Sequence, residues 1–261
     1  MHLDLIKHRI ENENNIEMLF EEPKVPYRET ITKAAKAEYR HKKQSGGSGQ
    51  FGEVHITLEP YFNDMPEPQG VNIRNKEIEE LPWGGKFAFY WCIVGGAIDN
   101  RYATAIKKGI MHEMTEGPLT GSNCQNIRVC IYDGKMHAVD SNDISFQLAA
   151  SHAFRMAFNE AKPQLLEPYY HLEVLCEDNH TGDVMGDLQT RRAIIQGMDT
   201  DGHYQKIIAE VPLAELKDYG SSLRSLTQGK AKFKLEFSNY QLVPPHIQEN
   251  LVISNASLSE V

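Results

Sequence analysis

Gly47-Ser48-Gly49-Gln50-Phe51-Gly52-Glu53-Val54 has the spacing of a protein kinase's glycine-rich loop, whose bared backbone amides close over the phosphates of a nucleotide. A kinase also needs a strand lysine shortly downstream, a catalytic Asp and Asn, and a metal-binding Asp in D-F-G. Ala105-Ile106-Lys107 is the one V-A-I-K lookalike; it falls too far on, inside a helical pattern, and H-R-D and D-F-G are absent. A dinucleotide fold fails on context. Its glycines pass from a strand into a helix whose amino end holds the pyrophosphate, whereas a strand pattern follows these. A Walker A loop fails for want of Gly-Lys-Ser/Thr.

Other groups offer less. Asp133, His137 and Asp140 cluster in "DGKMHAVDS", where a His beside carboxylates can act as a general base, but no Ser or Cys nucleophile motif accompanies them. Turn formation and solvation explain them more simply. His171, His180 and His203 lie near Asp178, Asp183 and Asp187 without the spacing of H-E-x-x-H or another ligand set. Cys92, Cys124, Cys130 and Cys176 include no C-x-x-C pair, and with no secretory apolar region at the start they point to a reducing cytoplasm. Cys124 and Cys130 read as small hydrophobes. No catalytic residue and no metal ligand follows, and the chain reads as not an enzyme.

Charge divides the possibilities further. A net charge of -9 speaks against a protein that coats nucleic acid indiscriminately. Locally, however, Lys33, Lys36, Arg40, Lys42 and Lys43 against Glu38 alone lead into the glycine loop, either as a solvated strand edge or as cations for phosphate. No apolar run approaches the roughly 20 residues of a membrane helix.

Certain elements must position these groups. Leu3, Ile6 and Ile10 have helical spacing, and "NIEMLF" alternates like a strand before a proline-rich linker with a boundary near Pro23. Strands are expected over residues 31–39 and 53–58, where Val54, Ile56 and Leu58 alternate with polar residues, so the glycine loop joins two strands. Residues 61–83 suggest an irregular excursion with a helical turn or two. A buried strand "KFAFYWCIV", a helix over 101–115, a strand over 126–132, a turn at Asp133-Gly134 and a helix over 143–161 complete a first unit closed by Pro163. The pattern then resets: strand "YYHLEVLCE", helix "GDVMGDLQTRRA", strands "IIQGMDT" and "QKIIAEVPL", helix "LAELKDYGSSLRSLT", strand "AKFKLEFSNY". This β-α-β-β-α-β order is that of a ferredoxin-like sandwich, and residues 244–261 form a tail with one short helix.

Several ordered blocks carry a family resemblance: "VPYRETI", "QSGGSGQFGEV", "IVGGAI", "AIKKGI", "GPLTG", "IYDGKMHAVDSND", "SFQLAASHAFRMAF", "GDVMGDLQTRR" and "LRSLTQGKAKF". Together with "HLDLIKHRI" at the start, they resemble the C-terminal part of bacterial elongation factor G, the translocation GTPase of the ribosome. The resemblance implies an α+β chain divided as follows: 1–22, the end of domain III; 23–165, the elongated α/β domain IV, similar to ribosomal protein S5; 166–243, the ferredoxin-like domain V; 244–261, a tail. It implies a cytoplasmic, monomeric piece of a longer factor. GTP and magnesium are expected only in a G domain that these residues do not contain.

The same resemblance assigns site residues. Lys42, Lys43, Gln44, Ser45, Gly46, Gly47, Ser48, Gly49 and Gln50 would form one tip loop, and residues 133–142, with His137 and Asp140, a second. These would touch tRNA and mRNA in the decoding region of 16S rRNA and keep the pair from sliding back. Glycine amides, lysines and an imidazole suit phosphate and ribose. Arg191, Arg192, Arg224 and Lys230 would reach 23S rRNA or else pair locally with Asp183, Asp187 or Glu215.

Departures from the family point to a divergent paralogue. Ser48 stands where members carry Arg, Ala193 where they carry Gly, and the stretch over 61–83 is longer by roughly 20 residues, the scale of a functional insertion. A paralogue specialised for ribosome recycling or ribosome protection is therefore the alternative to a translocation factor, with a nucleotide-binding enzyme as the third reading.

Overall fold

The structure, a computed structural model, describes residues 6, 9–13, 24–44 and 49–258. Residues 9–13 are helical, and the strand expected over 15–20 lies outside the described residues.

The first sheet has the order β2-β3-β6-β5-β4, from β2 (Ala35–Lys43), β3 (Gln50–Pro60), β4 (Asn75–Glu80), β5 (Lys86–Trp91) and β6 (Ile127–Lys135). Only β5 and β6 run parallel, joined through helix α1 (Ala103–Thr115). Strict alternation in β3 places Val54, Ile56 and Leu58 on the face that α1 and α2 (Asp143–Glu160) cover, where all three are fully buried. The Asn142 side chain starts α2 by accepting the Ser145 N–H at 2.9 Å. Along its inner face Phe146, Ala149, Ala150, Ala153, Phe154, Ala157 and Phe158 are buried at helical spacing, and the alanines let the helix lie close to the sheet.

The two helices cross closest at Gly109, where a Cβ would stand 2.2 Å from the Gln147 carbonyl oxygen. Replacing Gly109 by Val is expected to force the helices apart and cost about 2 kcal/mol, read as a lowered urea midpoint at unchanged slope.

The stretch over 61–83 contains a strand and no helical turn. Its charged middle forms β4, antiparallel to β5 with Ile78 opposite Ala88. Before it, Tyr61, Val71 and Ile73 cover Ala88, Tyr90, Cys92 and Cys130 on the outer face of the sheet. Arg128, almost fully buried, pins this cover: its guanidinium donates to Glu59 at 2.6 and 2.8 Å and to the Pro66 carbonyl at 2.7 Å, and lies 5.5 Å from the Tyr90 ring centroid. The excursion thus buries the second face of the sheet.

Two further expectations change. The single strand over 31–39 is two strands: β1 (Arg28–Ile31) pairs with β7 (Pro163–Glu177) in the second sheet, and β2 pairs with β3 in the first. Asp133-Gly134 is not a turn; β6 continues to Lys135 through a bulge that places Asp133 opposite His55 and Gly134 opposite Val54.

The second sheet has the order β10-β7-β9-β8, all antiparallel, from β7, β8 (Ile194–Asp201), β9 (Tyr204–Pro212) and β10 (Lys232–Leu242), with β1 added against the first residues of β7. With α3 (Thr181–Thr190) and α4 (Tyr219–Leu226) this is the expected ferredoxin-like βαββαβ unit. Leu172, Val174, Val184, Leu188, Ile207, Ala209 and Leu223 form its core. The helix expected over 213–227 is a 3-10 turn, Leu213–Leu216, and then α4, separated at Asp218 in the left-handed region. Pro163, expected to close the first unit, opens β7, so the 165/166 division falls inside a strand. Helix α5 (Pro245–Leu258) occupies the tail and returns to the junction: the Gln248 Oε1 accepts the Leu165 N–H at 2.9 Å.

Candidate functional site

The hairpin β2-β3 and the segment after β6 meet at one end of the first sheet. Lys43 pairs with Gln50 at the last rung of the hairpin, and the loop beyond, Ser45, Gly46, Gly47 and Ser48, lies outside the described residues. Its near side is fixed: the Phe51 N–H donates to the Asp140 carbonyl at 2.9 Å, and the His41 Nε2 lies 2.9 Å from the Gln50 Oε1.

Gly49 and Gly52 serve close packing. A Cβ on Gly49 would stand 2.9 Å from the Asp140 carboxylate, and one on Gly52 would stand 3.0 Å from the Ser145 carbonyl. The Asp140 carboxylate fills the space beside Gly49 and the α2 backbone fills that beside Gly52, so these two glycines let the hairpin close on the neighbouring segments. Among the described residues no three His, Cys, Asp or Glu side chains gather as a metal site.

The second loop, 136–142, presents His137 about half-exposed with Val139 and Ile144 strongly exposed beside it. The His137 Nδ1 is 3.2 Å from the Asp140 backbone N and 3.1 Å from the Asp140 Oδ2. A neutral ring accepts the backbone N–H there, and a protonated ring donates to the carboxylate, so Asp140 orients the imidazole in both forms. The Nε2 makes no hydrogen bond among the described residues. Asp133, expected beside it, instead accepts its neighbour Gly134's N–H at 2.8 Å within β6.

The basic run divides by partner. The Arg40 guanidinium is bound to Glu53, nearly buried in the sheet's outer face, and the Lys36 Nζ lies 5.3 Å from the Tyr132 ring centroid. Burial raises the Glu53 pKa, but hydrogen bonds from Arg40 and His55 together with the charges of Arg40 and Lys135 outweigh it and hold the carboxyl below its usual range. Lys42, Lys43 and Gln44 are exposed, and neither lysine has a carboxylate partner among the described residues. Both lysines, and Lys33 just before the far end of β2, which is likewise exposed with no carboxylate partner among the described residues, are open to an anionic partner.

In the second unit, three of the four expected cations are engaged. Arg191 donates to Asp187 at 2.8 Å, the Glu215 carbonyl at 2.7 Å and the Ser222 hydroxyl at 2.9 Å. Arg192 binds the fully buried Glu167 through two donors at 2.7 and 2.9 Å, and Glu215 through a third at 2.8 Å. Lys230 pairs with Glu177 at 3.0 Å. Arg224, exposed in the last turn of α4, has no carboxylate partner among the described residues.

Residues that sequence reasoning passes over complete the tip. The Ser141 hydroxyl donates to the Phe51 carbonyl at 2.9 Å and accepts the His137 N–H at 2.8 Å, while the buried Tyr102 hydroxyl donates to the Ser141 carbonyl at 3.0 Å. The Asn142-Asp143 start of α2 is the one local signal that this segment is held in place.

The sequence matches the family model of elongation factor G domain IV over residues 23–76 and 73–162, and that of the elongation factor G C-terminus over residues 164–251. The chain belongs to the elongation factor G family. An elongation factor G-like protein of Thermotoga maritima is 41% identical over 253 residues, and elongation factor G of Thermotoga neapolitana is 39% identical over 252. Both alignments cover 97% of this chain and 34% of the relative, so the chain spans about a third of the length of these relatives. A crystal structure of a Thermus thermophilus protein superposes with a TM-score of 0.80 at 40% identity, over 98% of this chain and 35% of that one. Both tip loops fall in the match to elongation factor G domain IV, and Arg191, Arg192, Arg224 and Lys230 fall in the match to the C-terminus.

Proposed function

We propose that this chain is the C-terminal part of an elongation factor G-like translational GTPase whose tip enters the ribosomal A site, in the decoding region of 16S rRNA, and promotes movement of tRNA and mRNA. The observation that carries the reading is the clasp between the end of the β2-β3 hairpin and the 136–142 segment, with His137 half-exposed and Lys42 and Lys43 without a carboxylate partner among the described residues. The tip would act by steric block and charge: the loops occupy space that a returning tRNA would need, and the free lysines neutralise phosphate. GTP and magnesium would bind in the G domain of the longer factor, 16S and 23S rRNA would be its partners, and it would work as a cytoplasmic monomer. No helix among the described residues is long and apolar enough to cross a membrane. In the second unit, Arg224 is the cation best placed to reach rRNA, because the other three already hold carboxylates.

Reversing both free lysines, Lys42→Glu with Lys43→Glu, is expected to slow single-round translocation by the full-length factor by about an order of magnitude and to reduce the log-log salt slope of binding by about 2. An unchanged rate removes the role given to this loop. A recycling or protecting paralogue, favoured by Ser48 and the excursion built onto the outer face, would instead split ribosomes with recycling factor while supporting little peptide elongation.

A further inference from the structure

Ser141 is the point at which three separate segments of the tip are joined. Its hydroxyl donates to the Phe51 carbonyl of the hairpin at 2.9 Å and accepts the His137 N–H at 2.8 Å. Its own N–H closes back on the His137 carbonyl at 3.2 Å, and its carbonyl receives the Tyr102 hydroxyl at 3.0 Å. Tyr102 is itself anchored: it is only 3% exposed, its ring packs on Phe146 at 4.5 Å between centroids, and its oxygen accepts from the exposed Arg101 at 2.7 Å. The Ser141 hydroxyl therefore fixes the backbone of His137 against the glycine hairpin, and the Ser141 carbonyl ties the same residue to the protein core through Tyr102.

We propose that Ser141 is a positioning residue for His137, setting the height and direction at which the imidazole meets RNA. The proposal rests on the translocation reading above. Among the described residues His137 has no direct hydrogen bond to the hairpin; the Phe51 ring lies 6.2 Å from its centroid, a loose contact that leaves direction undetermined. Without the Ser141 hydroxyl, the His137 N–H and the Phe51 carbonyl lose their shared partner, and among the described residues the loop keeps its tie to the hairpin through the Phe51 N–H to Asp140 carbonyl bond, while the Tyr102 bond still anchors the Ser141 backbone. A ring displaced by even an ångström from its working position loses much of its effect.

The test uses two variants and two readouts. In the 261-residue chain, Ser141→Ala should speed amide exchange at His137 at least about tenfold, because the protecting acceptor is gone, and Ser141→Thr, which keeps the hydroxyl, should restore it. In the full-length factor, Ser141→Ala should slow single-round translocation at saturating factor by about tenfold or more while leaving the half-saturating concentration within about twofold. Ser141→Thr should recover the rate. Combined with His137→Ala, Ser141→Ala should add no further loss, since a residue acting through another has nothing left to position. Unchanged exchange at His137, a Ser141→Ala factor that translocates at the wild-type rate, or losses that add fully in the double variant each overturn the proposal. A wild-type factor that does not translocate at all instead removes the reading beneath it, and the exchange data then show separately whether the Ser141 node exists.

Discussion

Glu29→Ala is expected to lower the unfolding free energy by about 4 kcal/mol, a large share of the roughly 5–15 kcal/mol that holds a domain folded. Glu29 is fully buried in β1, and its carboxylate accepts the N–H groups of Leu119, Thr120 and Ser122 at 2.8, 2.7 and 3.1 Å and the Thr120 hydroxyl at 2.9 Å. Alanine leaves three backbone donors facing a cavity. Each unsatisfied buried donor costs about 1–3 kcal/mol, and entering water recovers part of the sum. Glu29→Gln keeps the shape but turns an NH2 group toward donors, so an intermediate loss is expected. Urea denaturation of the two variants measures both.

The same carboxylate has a pH signature. Burial, the largest influence, raises the Glu29 pKa above 4.5, and the four donors only partly offset it. Above 4.5 the unfolded chain releases this proton first, while the folded chain still holds it. The proton-linked part of Glu29's contribution is therefore complete below 4.5 and is lost as pH rises through the folded value, while the four accepted hydrogen bonds remain. Relative to Glu29→Gln, which cannot titrate, the wild type should lose stability as pH is raised from about 4.5. A wild type that gains stability relative to the variant over that range would show that the donors outweigh burial.

Period-2 and helical spacing make β3, α1, α2 and the βαββαβ unit legible, because in each the buried residues fall on one face by local rule alone. β4 is hidden because "NKEIEE" carries one apolar residue, Ile78; its strand state comes from pairing with β5, a contact that local composition does not record. Asp133-Gly134 carries a turn signal equally consistent with the bulge it forms. The resemblance marks residues 133–142, Ser141 among them, as one loop, yet it gives Ser141 no part in tying that loop: its partner Phe51 is 90 residues away, and a serine beside an N-cap carries no mark of that distance. Arg192 shows the same limit. Glu215 is foreseeable as a partner, whereas Glu167, which holds it by two bonds, lies in a strand that begins earlier than its spacing suggests.

Arg192→Ala is expected to cost about 3–5 kcal/mol, because it strands the buried Glu167 carboxylate without the two donors that compensate its desolvation. For a chain of this size that corresponds to a fall of about 10 °C in Tm. Glu167 sits one residue beyond Leu166, which pairs with Arg28 of β1 and with Leu242 of β10, so the ion pair lies where the second sheet takes up the strand leading to the first. Glu167 and Glu215 in turn raise the Arg192 pKa, the hydrogen bonding that Arg192 donates to Glu167 being the largest cause. Arg192 also occupies the left-handed region at φ 58°, a conformation costing a side chain roughly 1 kcal/mol. Alanine keeps that cost, so its loss reports the ion pair; glycine would relieve the backbone and mask it. Lysine offers one compact donor group in place of a planar fork and should recover less than half. Replacing both partners, Glu167→Leu with Arg192→Met, removes charge and donor together and should return to within about 2 kcal/mol of the wild type. Denaturation followed by circular dichroism, beside ribosome pelleting of the same variants, separates this role from RNA contact. An Arg192→Ala protein of undiminished stability that no longer pellets with ribosomes would mean that the arginine serves the ribosome; a destabilised protein that still pellets when folded would mean that it serves the junction.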